Sequence, residues 1–197
     1  MSKNIEKNTL LEEFLLSLTD KNWSESNYLN VIEESSSSEA VWSANFPLGL
    51  RDLTAFYIAQ SLENISIPNK DQFVHLKTQE RLEEILMSYF NQFNDKLVVN
   101  KLVNFLKTYE SMAVTPESIY HISDKFWRLI EDKSIDFNYY TKRFILMSVI
   151  VPTTLFWLND ESLDNTKTKD YMKKCFKRSM KIGIFKNNIK KTFSKFF

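Results

Sequence analysis

An all-α protein is expected from three features of this chain. It has two glycines and four prolines in 197 residues, too few for the turns that a sheet requires. Apolar residues recur at helical spacing in nearly every segment. Its 43% hydrophobic and 26% charged residues are the ordinary mixture of a soluble globular protein. The length fits one domain, or one domain with appendages, and is enough to bury a sizeable core.

The elements follow in order. From Asn8 to Leu18, Leu10, Leu11, Phe14, Leu15 and Leu18 share one helical face. Ser24 or Ser26 can cap a second helix near Asn27 to Glu34. Ser35 to Ser38 is a polar break before a short helix, Glu39 to Asn45. Phe46-Pro47-Leu48-Gly49 is a turn, and Arg51 to Leu62 a fourth helix. This beginning has the outline of a helix-turn-helix head. Phe73 to Phe93 reads as one amphipathic helix with Leu76, Leu82, Ile85, Leu86, Tyr89 and Phe93 inward, and Asp95 to Tyr109 as another. Thr115-Pro116-Glu117 places a cap and then a proline at a helix start, and that helix runs to about Glu131. Asp136 is expected to cap the next, ending near Asn159. A helix from Thr166 to about Lys181 is then expected to break at Gly183, before a last amphipathic segment, Ile184 to Phe197.

Charge and composition exclude several functions. The single cysteine, Cys175, rules out an internal disulfide and a cysteine zinc cage, and fits a reducing compartment. The N-terminal MSKNIEKNTLLEEF reads as neither a secretory signal nor a transit peptide. From Tyr171 onward there are nine Lys or Arg and no acid, so the first 170 residues carry 17 positive and 25 negative charges, a balance of −8. An acidic body is joined to a basic tail that suits an anionic surface. Up to Asn64, four basic residues face ten acidic ones, the wrong sign for a DNA reader. Glu117 and His121 stand at i and i+4, but His75 is the only other histidine, short of the two pairs that a di-iron site uses. Phosphate-loop, nucleophile-elbow and dinucleotide fingerprints are missing, so no catalytic or metal residues are assigned.

Three stretches carry a functional signal. The apolar run Phe144 to Leu158 has fifteen residues, below the ~20 needed to span a bilayer. It is a central core helix, or a helix that also walls an apolar cavity. Pro152 inside it removes a backbone hydrogen bond and bends the helix, which opens space beside it; Thr153 and Thr154 can satisfy freed carbonyls. The preceding turn gathers Phe126, Trp127, Phe137, Tyr139 and Tyr140 among Asp124, Asp132 and Asp136. Aromatic side chains with polar tips are typical interface anchors. Phe137 and Tyr140 share a face and Tyr139 points elsewhere, so Tyr139 is the better exposed contact. At the C-terminus Ile182, Phe185, Ile189, Phe193 and Phe196 fall on one side of a helical wheel, and Lys186, Lys190, Lys191 and Lys195 on the rest. That is the pattern of an interfacial membrane helix, unless the Phe face docks on the protein's own body or on a second copy.

Motifs across the chain add a resemblance. Asp124-Lys125-Phe126-Trp127, then Asp132-Lys133-Ser134-Ile135-Asp136-Phe137-Asn138-Tyr139-Tyr140-Thr141-Lys142-Arg143, Thr153-Thr154, Asp160-Glu161-Ser162 and Thr166 resemble the COQ-nine family, lipid-binding accessory proteins of ubiquinone biosynthesis. Trp23-Ser24 and Phe46-Pro47-Leu48-Gly49 fit more loosely. The chain departs from the family pattern before Asp132, where a usual Gly is Glu131, and at Tyr139, where Trp is common.

The resemblance implies a helical bundle like the TetR-family regulators, paired as a homodimer, with no DNA-reading role. It implies an apolar pocket for isoprenoid quinone precursors or other lipids, taken here to be lined by Phe144, Met147, Ile150, Val151 and Leu155. It implies a partner, the di-iron demethoxyubiquinone hydroxylase, met through Asp124, Phe126, Tyr139 and Tyr140, and no cofactor of its own. Its membrane helix falls on Ile182 to Phe197. The expected organisation is a vestigial head (1–64), a lipid-binding and dimerisation body (65–181) and an amphipathic membrane helix (182–197). The function expected is that of a non-enzymatic accessory protein that presents lipid to the hydroxylase; a ligand-sensing regulator is the alternative. A chain without a transit peptide implies a bacterial member at the cytoplasmic face of the inner membrane, or else a processed mitochondrial form.

Overall fold

The computed structural model describes residues 2–67, 70–93, 95–108, 111–112 and 114–193, with side chains from Asn4 to Ser179 except Lys70, Asp136 and Phe137. Every regular element among the described residues is helical: α1 Ser2–Ser17, α2 Glu25–Glu34, α3 Glu39–Asn45, α4 Leu50–Glu63, α5 Lys70–Phe73, α6 Thr78–Asn91, α7 Lys96–Leu106, α8 Thr115–Leu129, α9 Asp136–Leu158 and α10 Thr166–Phe193, with a 3-10 turn at Leu163–Asn165. The all-α expectation holds. The chain divides into two compact units, one of residues 1–64 and 93–118 and one of residues 65–92 and 119–197. The segment 93–118 thus groups with the head rather than with the rest of the body.

The first unit is built on aromatic packing. Phe14 meets Trp23 edge-on at 5.2 Å, and Tyr28 meets Trp42 at 5.6 Å. Phe14, Trp42, Phe46, Leu50 and Leu53 are almost wholly buried. The Trp23 indole donates to Thr54 Oγ1 at 3.0 Å, so the buried polar edge of the ring is satisfied. Ser24 caps α2 by accepting from Asn27 N at 3.3 Å. Asp95 caps α7 through Leu97 N at 2.7 Å. Lys101 on α7 directs its ammonium at the carbonyls of Leu18 and Lys21, just beyond the end of α1. There it satisfies acceptors that the helix leaves open.

In the second unit α10 packs against α9 and α6. Leu82, Ile85, Leu86 and Phe90 of α6, Phe126 of α8, Leu146, Val149 and Trp157 of α9, and Met172 and Phe176 of α10 form its core. Phe90 stacks on Trp157 at 4.8 Å.

Several expected boundaries are corrected. The single helix expected from Phe73 to Phe93 is two, α5 and α6, because the chain turns between Phe73 and Lys77. There Lys77 N donates to Glu80 Oε2 at 2.8 Å and starts α6 afresh. Ile135, not Asp136, is the N-cap of α9. Gly183 does not interrupt α10, which continues to Phe193; a helical glycine costs only ~1 kcal/mol, less than a break must overcome. Pro152 also lies within an unbroken helix. Thr153 and Thr154 donate one turn back, to the carbonyls of Val149 and Ile150 at 2.7 and 2.9 Å, rather than to that of Ser148, whose helical donor Pro152 removes. As a helix, Asn138–Leu158 is long and apolar enough to cross a membrane by length and composition, unlike the fifteen-residue run alone. It nevertheless carries Arg143, ion-paired inside the protein, the mark of a core helix.

Candidate functional site

Helices α8 and α9 are joined by a turn that ends α8 and redirects Asp132. Glu131 N donates to Arg128 O at 2.9 Å and Asp132 N to Trp127 O at 3.0 Å, with Glu131 in the left-handed region at φ 58°. This is the Schellman arrangement, whose central residue is most often glycine. It explains why glycine suits this position and marks Glu131 as strained.

The turn brings two carboxylates onto one buried cation. Arg143 on α9 is 1% exposed. Its Nε donates to Asp124 Oδ1 at 2.8 Å, and its Nη1 to Asp132 Oδ2 at 3.3 Å and to Tyr139 O at 3.1 Å. Its guanidinium stacks 3.3 Å from the Tyr139 ring centre. Asp124 also accepts from the Tyr139 hydroxyl at 2.7 Å and from Arg128 Nε at 2.6 Å. Lys142 donates to Asp132 Oδ1 at 2.6 Å and also meets Ser134 Oγ. The Trp127 indole donates to Lys142 O at 3.2 Å, and Ser123 Oγ to Arg143 O at 2.9 Å. Every charge in this clamp has a partner, as buried ions require.

Burial alone would raise the Asp124 carboxyl. Hydrogen bonds from Arg143, Tyr139 and Arg128 outweigh it and hold the group at about 2. Asp132 is also held below the ordinary range: burial opposes this, and Lys142, Ser134 and Arg143 prevail. Burial would lower Arg143, but the two aspartates raise it. The clamp therefore stays fully ionised at neutral pH.

The clamp fixes which side of α9 faces outward. Arg143, Leu146, Ile150, Thr153 and Trp157 are buried at helical spacing. Opposite them Tyr140 is 58%, Phe144 63%, Val151 39% and Leu155 38% exposed. Phe156, next to this row, stacks on Tyr171 of α10 at 4.4 Å.

Against this geometry two sequences of known type can be set. Over residues 112–183 the chain matches the family model described as COQ9. Over that segment the chain is similar to the COQ9 family. A relative from Dictyostelium discoideum, named "Probable ubiquinone biosynthesis protein coq9, mitochondrial", is 27% identical over 176 residues. The match covers 79% of this chain but 57% of the relative, so the chain spans little more than half of that protein's length.

The COQ9 segment runs from the last residues before α8 through α9 to Gly183 in α10, and so contains the whole clamp and the outward face of α9. The resemblance read from the Asp124–Thr166 motifs named the same family. Of the residues assigned to a partner, Asp124 is largely buried in the clamp and Phe126 is 0% exposed in the core. Tyr139 is half-buried and spent on Asp124, so Tyr140 rather than Tyr139 is the exposed aromatic. Of the residues expected to line a lipid pocket, Ile150 is buried, Met147 half-buried, and Phe144, Val151 and Leu155 lie on the outer face. They do not all converge on one interior surface. The side chains of the residues expected to bind a membrane, Ile182, Phe185, Lys186, Ile189, Lys190, Lys191 and Phe193, and the whole of Phe196, lie outside the described residues, as does the Phe137 side chain.

Arg143 has no role that can be assigned from sequence alone. Its partner Asp124 is 19 positions away on another helix, beyond any local periodicity. The one sequence signal was a basic residue inside an apolar helical run, which has to be paired if it is buried.

Proposed function

We propose that the chain is a non-enzymatic accessory protein of ubiquinone biosynthesis that binds an isoprenoid quinone precursor and presents it to the di-iron demethoxyubiquinone hydroxylase. The observation that carries this reading is the exposed apolar row of α9 within the COQ9 segment. Phe144, Val151 and Leu155 extend over about 16 Å of helix. Their open surface is on the order of 250 Å², and covering it is worth about 6 kcal/mol before ordering costs. An isoprenoid chain laid along this face leaves the bilayer without losing its apolar surroundings. We assign the homodimer contact to the same face, so that two copies enclose the lipid.

Tyr140, at the clamp end of the row, is the exposed anchor for the hydroxylase, with Tyr139 and Asp124 holding its helix in place. Its ring meets that of Tyr139 edge-on at 5.1 Å, which limits its freedom before any partner arrives. The amphipathic end of α10 rests on the membrane. The location is the matrix side of the mitochondrial inner membrane in keeping with the relative's name, or the cytoplasmic face of a bacterial inner membrane.

Native mass spectrometry with lipid extraction tests the reading on the full chain. A dimer carrying an isoprenoid quinone or its precursor is expected. Val151→Asp, on the exposed face, should give a folded, lipid-free monomer. Lipid-free wild-type protein, or Val151→Asp protein that keeps its lipid, would sink the proposal.

A further inference from the structure

The outer face of α10 is unusually basic before the amphipathic end begins. Between Thr166 and Ser179 it carries Lys167, Lys169, Lys173, Lys174, Lys177 and Arg178 against one acid, Asp170. Lys169 is engaged by Glu84 at 3.4 Å. The other five bases are exposed, while the opposite side of the helix, Thr168, Met172, Cys175, Phe176 and Ser179, is buried.

Because α10 passes Gly183 without a break, one helical period relates its two halves. At 3.6 residues per turn, Lys167, Lys174 and Arg178 fall within about 60° of the direction in which Ile182, Phe185, Ile189 and Phe193 recur. Lys173 and Lys177 fall about 120° or more away. Tyr171 is centred on the same side, half-buried and stacked on Phe156. An aromatic ring with a polar tip is the residue type enriched at the depth of lipid headgroups.

We infer that Lys167, Lys174 and Arg178 form a basic strip that contacts anionic lipid headgroups when the amphipathic end of α10 lies on a bilayer. The inference rests on the reading of that end as a membrane helix and extends the contact into the folded body. The positions 167, 171, 174 and 178 make a straight line about 16 Å long, a shape that meets a flat surface along its whole length. Charge complementarity selects an anionic surface, and continuity with the apolar recurrence on the same side selects a bilayer over an acidic polypeptide.

Partition of the full chain onto phosphatidylcholine vesicles, with and without phosphatidylserine, provides the test. The double variant K174Q/R178Q should lose about 30-fold in affinity for the anionic vesicles, and K173Q/K177Q, with the same net charge, less than about threefold. All four positions are exposed, so circular dichroism should report unchanged folding. If the wild-type chain binds neither kind of vesicle, the membrane reading fails and the strip with it. If it binds anionic vesicles and both variants lose equally, or neither loses, the membrane reading stands and the strip is overturned. Stronger binding to soluble polyglutamate than to anionic vesicles, lost in K174Q/R178Q, would assign the strip to an acidic protein instead and overturn the proposal.

Discussion

Replacing Arg143 with methionine removes the cation shared by Asp124 and Asp132 while keeping most of the side-chain volume. Both carboxylates are largely buried, with side-chain exposures of 13% and 7%. Breaking one partner out of a buried ion network costs about 3–5 kcal/mol. The lower end applies here, because Asp124 keeps Arg128 and Tyr139, and Asp132 keeps Lys142 and Ser134. At ~2–4 °C per kcal/mol for a chain of this size, about 3 kcal/mol lowers the melting temperature by about 6–12 °C. The loss should depend on pH. In the folded wild type Asp124 titrates at about 2 instead of 3.8, so the unfolded chain takes up the proton first as pH falls. The stability from this carboxylate, about 2 kcal/mol, is fully present above pH ~4 and lost as pH falls through ~2. Without Arg143 the group loses one of its hydrogen-bond donors and its folded titration moves up, toward what burial favours. The gap between wild type and variant should therefore narrow from pH 4 toward pH 2. Urea unfolding followed by helical ellipticity at pH 7, 4 and 3 measures it. A gap under about 1 kcal/mol at pH 7 would mean that the clamp does not carry a buried-ion penalty, and a gap independent of pH would refute the assigned Asp124 titration.

Other perturbations separate further parts of the structure. Glu131→Gly should stabilise the chain by about 0.5–1 kcal/mol, since relief of the left-handed strain exceeds the added entropy of glycine; Glu131→Ala should not, and thermal unfolding of the two variants side by side decides. Lys101→Met should cost about 1–2 kcal/mol by leaving the Leu18 and Lys21 carbonyls without their charged donor, measured by urea unfolding of the full chain. Asp160→Ala should cost about 2–3 kcal/mol. Its buried carboxylate accepts from Ser162 N at 2.9 Å and from Thr168 N and Oγ1 at 2.8 and 2.6 Å. Burial opposes ionisation of Asp160 and these bonds depress its titration, so the penalty should be full above pH ~4 and shrink in acid; a penalty that grows in acid would refute the assignment.

What could be read from the sequence was what local chemistry encodes. Apolar periodicity found most helices because each needs one buried stripe, and scarce glycine and proline left no room for a sheet. The break in Phe73–Phe93 was missed because the residues at the turn, Val74, His75 and Leu76, keep the apolar count of a helix while the backbone leaves it. Gly183 was overread because a glycine flags a stop only when the following residues stop favouring helix, and Ile184–Phe193 do not. The motif block from Asp124 to Arg143 could be recognised, but not apportioned. The same aromatic and acidic residues serve equally for a surface patch or an interior clamp, and only the pairing of Asp124 with Arg143 across two helices tells the two apart. Phe126 and Tyr139 went inward for that reason, while Tyr140 stayed out.

The clamp also bears on the proposed presentation of lipid, because it sets the roll of α9 about its axis. A helix with apolar residues nearly all round, as between Phe144 and Leu158, has no strong preference for which side to bury. Arg143 breaks that degeneracy: one position is charged, and it must reach two carboxylates fixed by α8 and its Schellman turn. Once Arg143 points inward, the helical period carries Leu146, Ile150, Thr153 and Trp157 inward with it, and Phe144, Val151 and Leu155 are left outside. The ion network thereby selects the face proposed to take lipid, without lining it. Arg143→Met should then weaken lipid retention even at temperatures where the variant remains fully helical, whereas Asp160→Ala, comparably destabilising but outside the ion network, should not. Equal retention by the two variants at matched stability would separate the clamp from the lipid face.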